Sequence, residues 1–289
     1  MKILILTHED ERHYYFCNKI IAKTNHVVGV ITGGKNRKLS KHQKRKIYKR
    51  NFFYLIRNKI LDAIFYKYNN RLLEEKKTAE KQYFGGESKL FQKNYKHLLI
   101  GSYKTKYNSI NDDYYVSLIK QKNPDVIVVM GTCLLKKEII SSAPYVINMH
   151  TGLSPYYRGG WTNFFPIIDN VYGHFGVTIH KMSLGIDSGD IIFSSRPNID
   201  INDNYSSINC KAIIDGTNLM IKAIELLKRN SLKGVKQWEK GKLIMGRDYN
   251  GFLAFIYFLK IKKYILKYIS LQQSNFLPKL DFVYNGEKK

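Results

Sequence analysis

Residues 126–130, Val-Ile-Val-Val-Met, form an unbroken apolar run between Asn123-Pro124-Asp125 and Gly131-Thr132-Cys133. A strand with one face in water alternates apolar and polar side chains. A run without alternation needs cover on both faces, as in a central parallel strand sandwiched by helices. Its length and its β-branched residues favour strand over helix. The start of the chain agrees: Ile3 to Leu6 and Val27 to Thr32 read as strands around a helical stretch at 11–23. That is a βαβ unit, which implies parallel strands and right-handed crossovers. The expected class is α/β.

The remaining pattern fills in this frame. Gly33-Gly34 ends the second strand, but no G-x-G-x-x-G follows Leu6, so a dinucleotide-binding fingerprint is absent. Residues 35–96 are basic and aromatic-rich and read as inserted helices and loops, with helical patches at 54–68 and 72–82. A short strand at 98–100, a helix at 112–121 ended by Asn123-Pro124, and a short helix at 136–141 follow. Residues 145–150 are the next strand, then an irregular loop through Gly160 and a helix near 162–168. Strands at 175–182 and 190–196 flank the loop containing Asp187. A long helix at 206–228, capped by Asn204 or Ser206, precedes a tail in which 235–238 and 242–245 form a hairpin. The tail ends in a helix over 252–268 with an apolar side and lysines at 260, 262, 263 and 267. Such a stripe fits a membrane surface or, as the preferred reading, packing on its own domain or a second subunit.

Composition excludes several classes. Cys17, Cys133 and Cys210 are odd in number and far apart, giving neither a disulfide framework nor a zinc spacing and suiting a reducing cytoplasm. The apolar stretch at 3–6 is too short for a signal-peptide core, and that at 252–259 too short to span a membrane. Neither a G-x-S-x-G elbow nor a phosphate loop occurs. The cluster from His8 to His13 looks metal-like but fits no ligand spacing; following the first strand it could touch a substrate, and its preferred reading is an exposed helix start. The net charge of +25 suits nucleic acid, an anionic surface or a phosphorylated substrate, but also an A+T-rich coding background. The densest basic run, 35–50, is expected as solvated surface.

Chemistry concentrates at Asn148-Met149-His150 and Asp187. Side chains two apart on a strand share a face, so Asn148 and His150 project together. An amide can donate to a developing oxyanion, and a neutral imidazole can accept a proton from an attacking amine. Asp187, in a Gly-Ile-Asp-Ser-Gly turn, can orient the imidazole or relay the proton. His180, in an alternating strand, reads as structural.

Three segments together carry a specific resemblance: 148–159 (Asn-Met-His-Thr-Gly-Leu-Ser-Pro-Tyr-Tyr-Arg-Gly), 176–180 (Gly-Val-Thr-Ile-His) and 185–192 (Gly-Ile-Asp-Ser-Gly-Asp-Ile-Ile). In this order they resemble the signature of the 10-formyltetrahydrofolate-dependent formyltransferases, with Ser188 where that family usually has Thr. The resemblance covers residues 120–200 strongly and the first strands weakly. It implies a Rossmann-like, mostly parallel sheet flanked by helices, with a small C-terminal hairpin-plus-helix extension. Residues 1–230 would be the catalytic domain and 231–289 an extension suited to homodimerisation. The resemblance further implies Asn148, His150 and Asp187 as the catalytic triad. Met130, Gly131, Thr132, Cys133, Leu134, Leu135 and Ile186 would lie against the folate. Thr151, Ser154, Tyr156, Tyr157, Arg158, Gly159 and Thr162 would border the acceptor, with Arg158 suited to a phosphate or carboxylate. No metal is required.

Among acceptors, the Gly152–Gly159 loop and the tail look most like the nucleotide-sugar N-formyltransferases, which act on precursors of surface polysaccharides such as lipopolysaccharide O-antigen. The expected protein is a cytoplasmic enzyme with a small-molecule nucleotide-sugar substrate and neither nucleic-acid partner nor stable membrane insertion. The alternatives are a methionyl-tRNA formyltransferase, a family that adds a C-terminal β-barrel not visible in this tail, or a basic nucleic-acid or membrane-surface binder without enzymatic activity.

Overall fold

The computed structural model describes residues 1–33, 41–102 and 109–289, with only the backbone for 41–51. The basic run at 35–50 therefore lies outside the residues whose side chains are described. In chain order the elements are β1 (Ile3–Thr7), α1 (Glu11–Thr24), β2 (Val27–Thr32), α2 (Lys41–Ile64), α3 (Tyr66–Phe84), α4 (Glu87–Asn94), β3 (Leu99–Ser102), α5 (Asp113–Lys122), β4 (Val126–Met130) and α6 (Lys137–Ile140). They continue with β5 (Tyr145–His150), β6 (Tyr157–Gly159), α7 (Phe165–Asp169), β7 (Val177–Lys181), β8 (Ile191–Ser195), α8 (Tyr205–Lys228), β9 (Lys242–Ile244), α9 (Gly251–Gln273), β10 (Val283–Tyr284) and β11 (Glu287–Lys288).

One sheet organises the molecule, in the order β11-β10-β8-β7-β5-β4-β1-β2-β3. From β3 to β5 the strands are parallel; β7, β8, β10 and β11 continue it antiparallel. The apolar run that opened the sequence reading is β4, fully buried between β1 and β5. Its side chains divide by parity: Val126, Val128 and Met130 enter the layer with α1 and α8, while Ile127 and Val129 pack with Tyr115 and Ile119 of α5 and Ile139 of α6. Each such side chain contributes roughly 1.5–3 kcal/mol of burial, so a polar residue anywhere in β4 would meet a dry layer.

Element ends follow local chemistry. The Asp112 carboxylate accepts from the Tyr114 N–H at the start of α5, and Asn123, left-handed at φ 45°, closes it ahead of Pro124. Asn204 caps α8 in a reciprocal box with Ser207.

The tail departs from the sequence reading. Residues 235–238 and 242–245 do not pair with each other. Val235 bridges to Ile191, and β9 runs parallel to β6, 85 residues earlier at the first paired position, Tyr157 opposite Lys242. The hairpin of this segment comes later, as β10–β11, and β10 joins the main sheet beside β8. Helix α9 buries Ala254, Tyr257, Tyr264, Ile265 and Tyr268 against α2, α3 and α7 in a third apolar cluster, the own-chain packing expected for its stripe.

Candidate active site

Open α/β sheets bind ligands beyond the carboxyl ends of their strands, where the winding reverses. Here β1 lies between β2 and β4, and the connections leave it in opposite directions. A cavity of about 770 Å³ occupies that end, reached by Arg12 and His13 after β1, Met130 to Leu135 from the last residue of β4 onward, and Asn148 to Thr151 at the end of β5. Helix α3 adds Lys76 and Glu80 from one side, and Ile244 to Gly246 close another.

The strand that carries Val146 into the core presents Asn148 and His150 on the same face, now at the cavity wall. Both are at least nine-tenths buried. His180, opposite Asn148 on β7, donates Nδ1–H to the Lys181 carbonyl at 2.8 Å. In the neutral tautomer its Nε2 takes one amide proton of Asn148 at 3.1 Å, and the same nitrogen stands 3.5 Å from Asp187 Oδ1. This fixes which end of the Asn148 amide is nitrogen and leaves its second N–H for a ligand. His180, expected as structural only, is thus the residue that orients Asn148.

His150 lies between two acceptors: its Nε2 donates to the Tyr157 carbonyl at 3.2 Å, and its Nδ1 stands 3.4 Å from Asp187 Oδ2. Burial pushes its pKa below the ordinary histidine value, while the Asp187 carboxylate works in the opposite direction. A neutral imidazole results, with Nδ1 as the basic nitrogen, and a proton taken there lands against a carboxylate. For Asp187, burial alone would raise the pKa. His150, His180 and the Gly159 N–H, which donates to Oδ2 at 2.9 Å, outweigh it and hold the group well below the usual carboxylate range.

Close approaches make two glycines obligatory. A Cβ on Gly152 would sit 2.4 Å from His150 Nε2. Gly159 has φ +94°, and a Cβ there would lie 2.1 Å from the Ile244 carbonyl oxygen.

Of the expected folate segment, Met130, Gly131, Thr132, Cys133, Leu134, Leu135 and Ile186 all line the cavity. Their apolar side chains, with Met182, suit the faces of a flat ring, and the main chain at the strand end suits its polar edge. Thr151, Gly159 and Thr162 of the expected acceptor group also line it.

The other four belong to the scaffold. The Ser154 N–H donates to Thr178 Oγ1 within the core. Tyr156 packs edge-on against His174 and Trp238, and its hydroxyl accepts from the Asp281 N–H. The Tyr157 hydroxyl donates to Asp169 Oδ2. Arg158 is buried and donates to the Gly241 carbonyl rather than presenting a fork to a phosphate.

Two further features were not visible in the sequence. Gln237 donates to the carbonyls of Asp187 and Gly189, tying the Asp187 loop to the tail. His13 is buried, not exposed: its Nδ1–H donates to Thr7 Oγ1, which donates to the Met130 carbonyl, while its Nε2 accepts from Arg12 Nε–H. That chain holds Arg12 at the cavity, where its guanidinium also pairs with Glu80 at 2.8 Å. Remote partners of this kind leave no trace in local spacing. Among the described residues, no group of three or more His, Cys, Asp or Glu side chains is placed to hold a metal ion.

Residues 70–224 match the sequence profile of the family described as formyl transferase, more than half of the chain. The chain belongs to the formyl transferase family. Among its sequence relatives are the methionyl-tRNA formyltransferases of Lachnospira eligens (34% identical over 128 residues, 44% of this chain and 40% of that one) and Desulforamulus reducens (34% over 134 residues, 46% and 42%). The matched region thus spans about two fifths of these relatives. Similar solved structures include a 4-N formyltransferase from Francisella tularensis, with 20% identity, TM-score 0.54, and coverage of 86% of this chain and 78% of that one. A second is the formyltransferase PseJ from Anoxybacillus kamchatkensis in complex with UDP-4,6-dideoxy-4-formamido-L-AltNAc and tetrahydrofolate, with 16% identity, TM-score 0.52, and coverage of 93% and 100%. At these identities the likeness is one of fold.

Proposed function

We propose that the protein transfers a formyl group from 10-formyltetrahydrofolate to the primary amine of a nucleotide-linked amino sugar, a precursor of a surface polysaccharide. The observation that carries formyl transfer is the convergence of Asn148, His150 and Asp187 on one cavity wall, with His180 orienting the amide. When bound, the folate supplies the formyl carbon as electrophile. The free N–H of Asn148 meets the formyl oxygen as negative charge develops on it, a contribution of roughly 100- to 1,000-fold. His150 Nδ1 removes the proton that the amine loses on attack, Asp187 stabilises the imidazolium, and that proton returns to the folate nitrogen as its bond to the formyl carbon breaks, leaving formamide and tetrahydrofolate. Met130 to Leu135, Met182 and Ile186 would hold the folate and exclude water from the reacting atoms.

A small phosphorylated acceptor is supported by the rest of the cavity lining. Arg12 and Lys76 reach the cavity beside Glu80, with which both pair, and Trp161 and Tyr205 add aromatic groups to its lining. The fold neighbour bound to UDP-4,6-dideoxy-4-formamido-L-AltNAc supports the same reading. The sequence relatives favour methionyl-tRNA as the second reading. The full-length protein, 10-formyltetrahydrofolate and a panel of amino-sugar nucleotides, with methionyl-tRNA alongside, separate the two by mass spectrometry. Formamide on one of the sugars is the expected result; formylation of methionyl-tRNA and none of the sugars would replace the proposal with the second reading.

A further inference from the structure

The geometry points to a peripheral docking surface for an anionic lipid bilayer on the outer faces of α2 and α9. On α2, Phe53, Ile56, Ile60 and Ile64 recur at helical spacing and are all exposed, Phe53 by 84% and Ile64 by 64%. The opposite side of this helix is already engaged. Asn58 donates to the carbonyls of Arg247 and Tyr249, Asp62 accepts from the Gly251 N–H, and the neighbouring Phe65 stacks on Phe255. On α9, Phe252, Leu259 and Leu266 lie seven residues apart, so they share one face, away from the buried tyrosines, and Leu259 is 63% exposed. Phe65, just past the end of α2, packs against Phe252 at the start of that face.

The charge around these stripes has one sign. Residues 52–67 hold Arg57, Lys59 and Lys67 against a single carboxylate, Asp62, which is engaged at the start of α9. Residues 250–280 hold five lysines and no carboxylate. Lys262, Lys263 and Lys267 are exposed on either side of Leu259 and Leu266.

That combination selects the occupant. A second copy docked about a two-fold axis would set these lysines against their own counterparts. A nucleic acid would pair with the lysines and leave Ile60, Leu259 and Leu266 in water. A bilayer surface takes both parts: the aliphatic side chains enter the acyl boundary while the ammonium groups reach anionic headgroups. The contact is peripheral, since no described helix is long and apolar enough to cross a membrane.

The test is cosedimentation of the full-length protein with vesicles of phosphatidylcholine alone or mixed with phosphatidylglycerol. Each surface cation contributes about fivefold to partitioning, so binding to the mixed vesicles should exceed binding to the neutral ones by at least about tenfold. The double variants Lys262→Glu/Lys263→Glu and Leu259→Ser/Leu266→Ser should each lose at least about tenfold in binding to mixed vesicles. Both change exposed residues only, so formyl transfer in solution and the melting temperature should stay at wild-type values. Equal binding to both vesicle types, or binding to neither, overturns the proposal. So does a wild-type dimer that the Leu259→Ser/Leu266→Ser change converts to monomer in sedimentation equilibrium.

Discussion

Asn148 and His150 are polar residues at the end of a strand whose preceding side chains serve the core, and their surroundings decide their chemistry. Because burial depresses the His150 pKa, the base is neutral throughout the physiological range. It is lost only as pH falls through a value below the ordinary histidine pKa of about 6.5. The acid limb of kcat/KM for formyl transfer should therefore lie below pH ~6.5. Asp187 opposes that depression, so Asp187→Asn should move the limb to still lower pH while reducing turnover. A limb that stays in place would mean that it reports some other group. His180→Ala should lower kcat by about tenfold or more at nearly unchanged folate affinity, because the Asn148 amide loses the acceptor that fixes it. That Asn148, His150 and Asp187 share one cavity wall was foreseeable from a two-residue strand spacing, a Gly-rich turn and the family resemblance of residues 148–192. The roles of His180, Gln237, Arg12 and His13 were not, since they depend on partners brought close only by the fold. Arg158 misled for the complementary reason: an arginine in a loop reads as a ligand group until its burial is known.

At the scale of elements, the strands and helices with strong periodicity matched their expected positions within a few residues, β5 without any shift. The failures are short pairings. Residues 242–245 read as a strand and β9 forms there, but its parallel partner is β6, three residues far back in the chain that read as loop. The helices of 41–94 were only partly legible, because Phe53, Ile56, Ile60 and Ile64 of α2 face outward rather than toward a core. The β6–β9 pairing nevertheless matters to the site, since Gly159 both pairs with Ile244 and donates to Asp187. Gly159→Ala should cost about 2 kcal/mol or more in stability, read as a lowered melting temperature, and should impair turnover as well. At the start of α8, Asn204→Ala removes a cap that serves two backbone N–H groups. It should cost about 1 kcal/mol in thermal or denaturant unfolding, with little effect on catalysis.

For the whole molecule, the tail is part of the scaffold around the candidate site. Val235 bridges to β8, Gln237 holds the Asp187 loop, β9 buttresses Gly159, and β10 covers the edge of β8, with Tyr284 against Phe193. Removing residues 281–289 should expose that edge and the buried Val283 contact site, lowering the melting temperature by several degrees and promoting association. The parallel half of the sheet was legible from composition and periodicity alone. This return of the tail was not, because two-residue strands carry no pattern of their own. Single-turnover formation of formamide reads the roles proposed for Asn148 and His150 free of any later step. With 10-formyltetrahydrofolate and the accepted amino-sugar nucleotide, the wild type should form formamide. Asn148→Ala and His150→Ala should each be slower by about 100-fold or more while folded and still binding folate. A variant that keeps the wild-type rate would contradict the account.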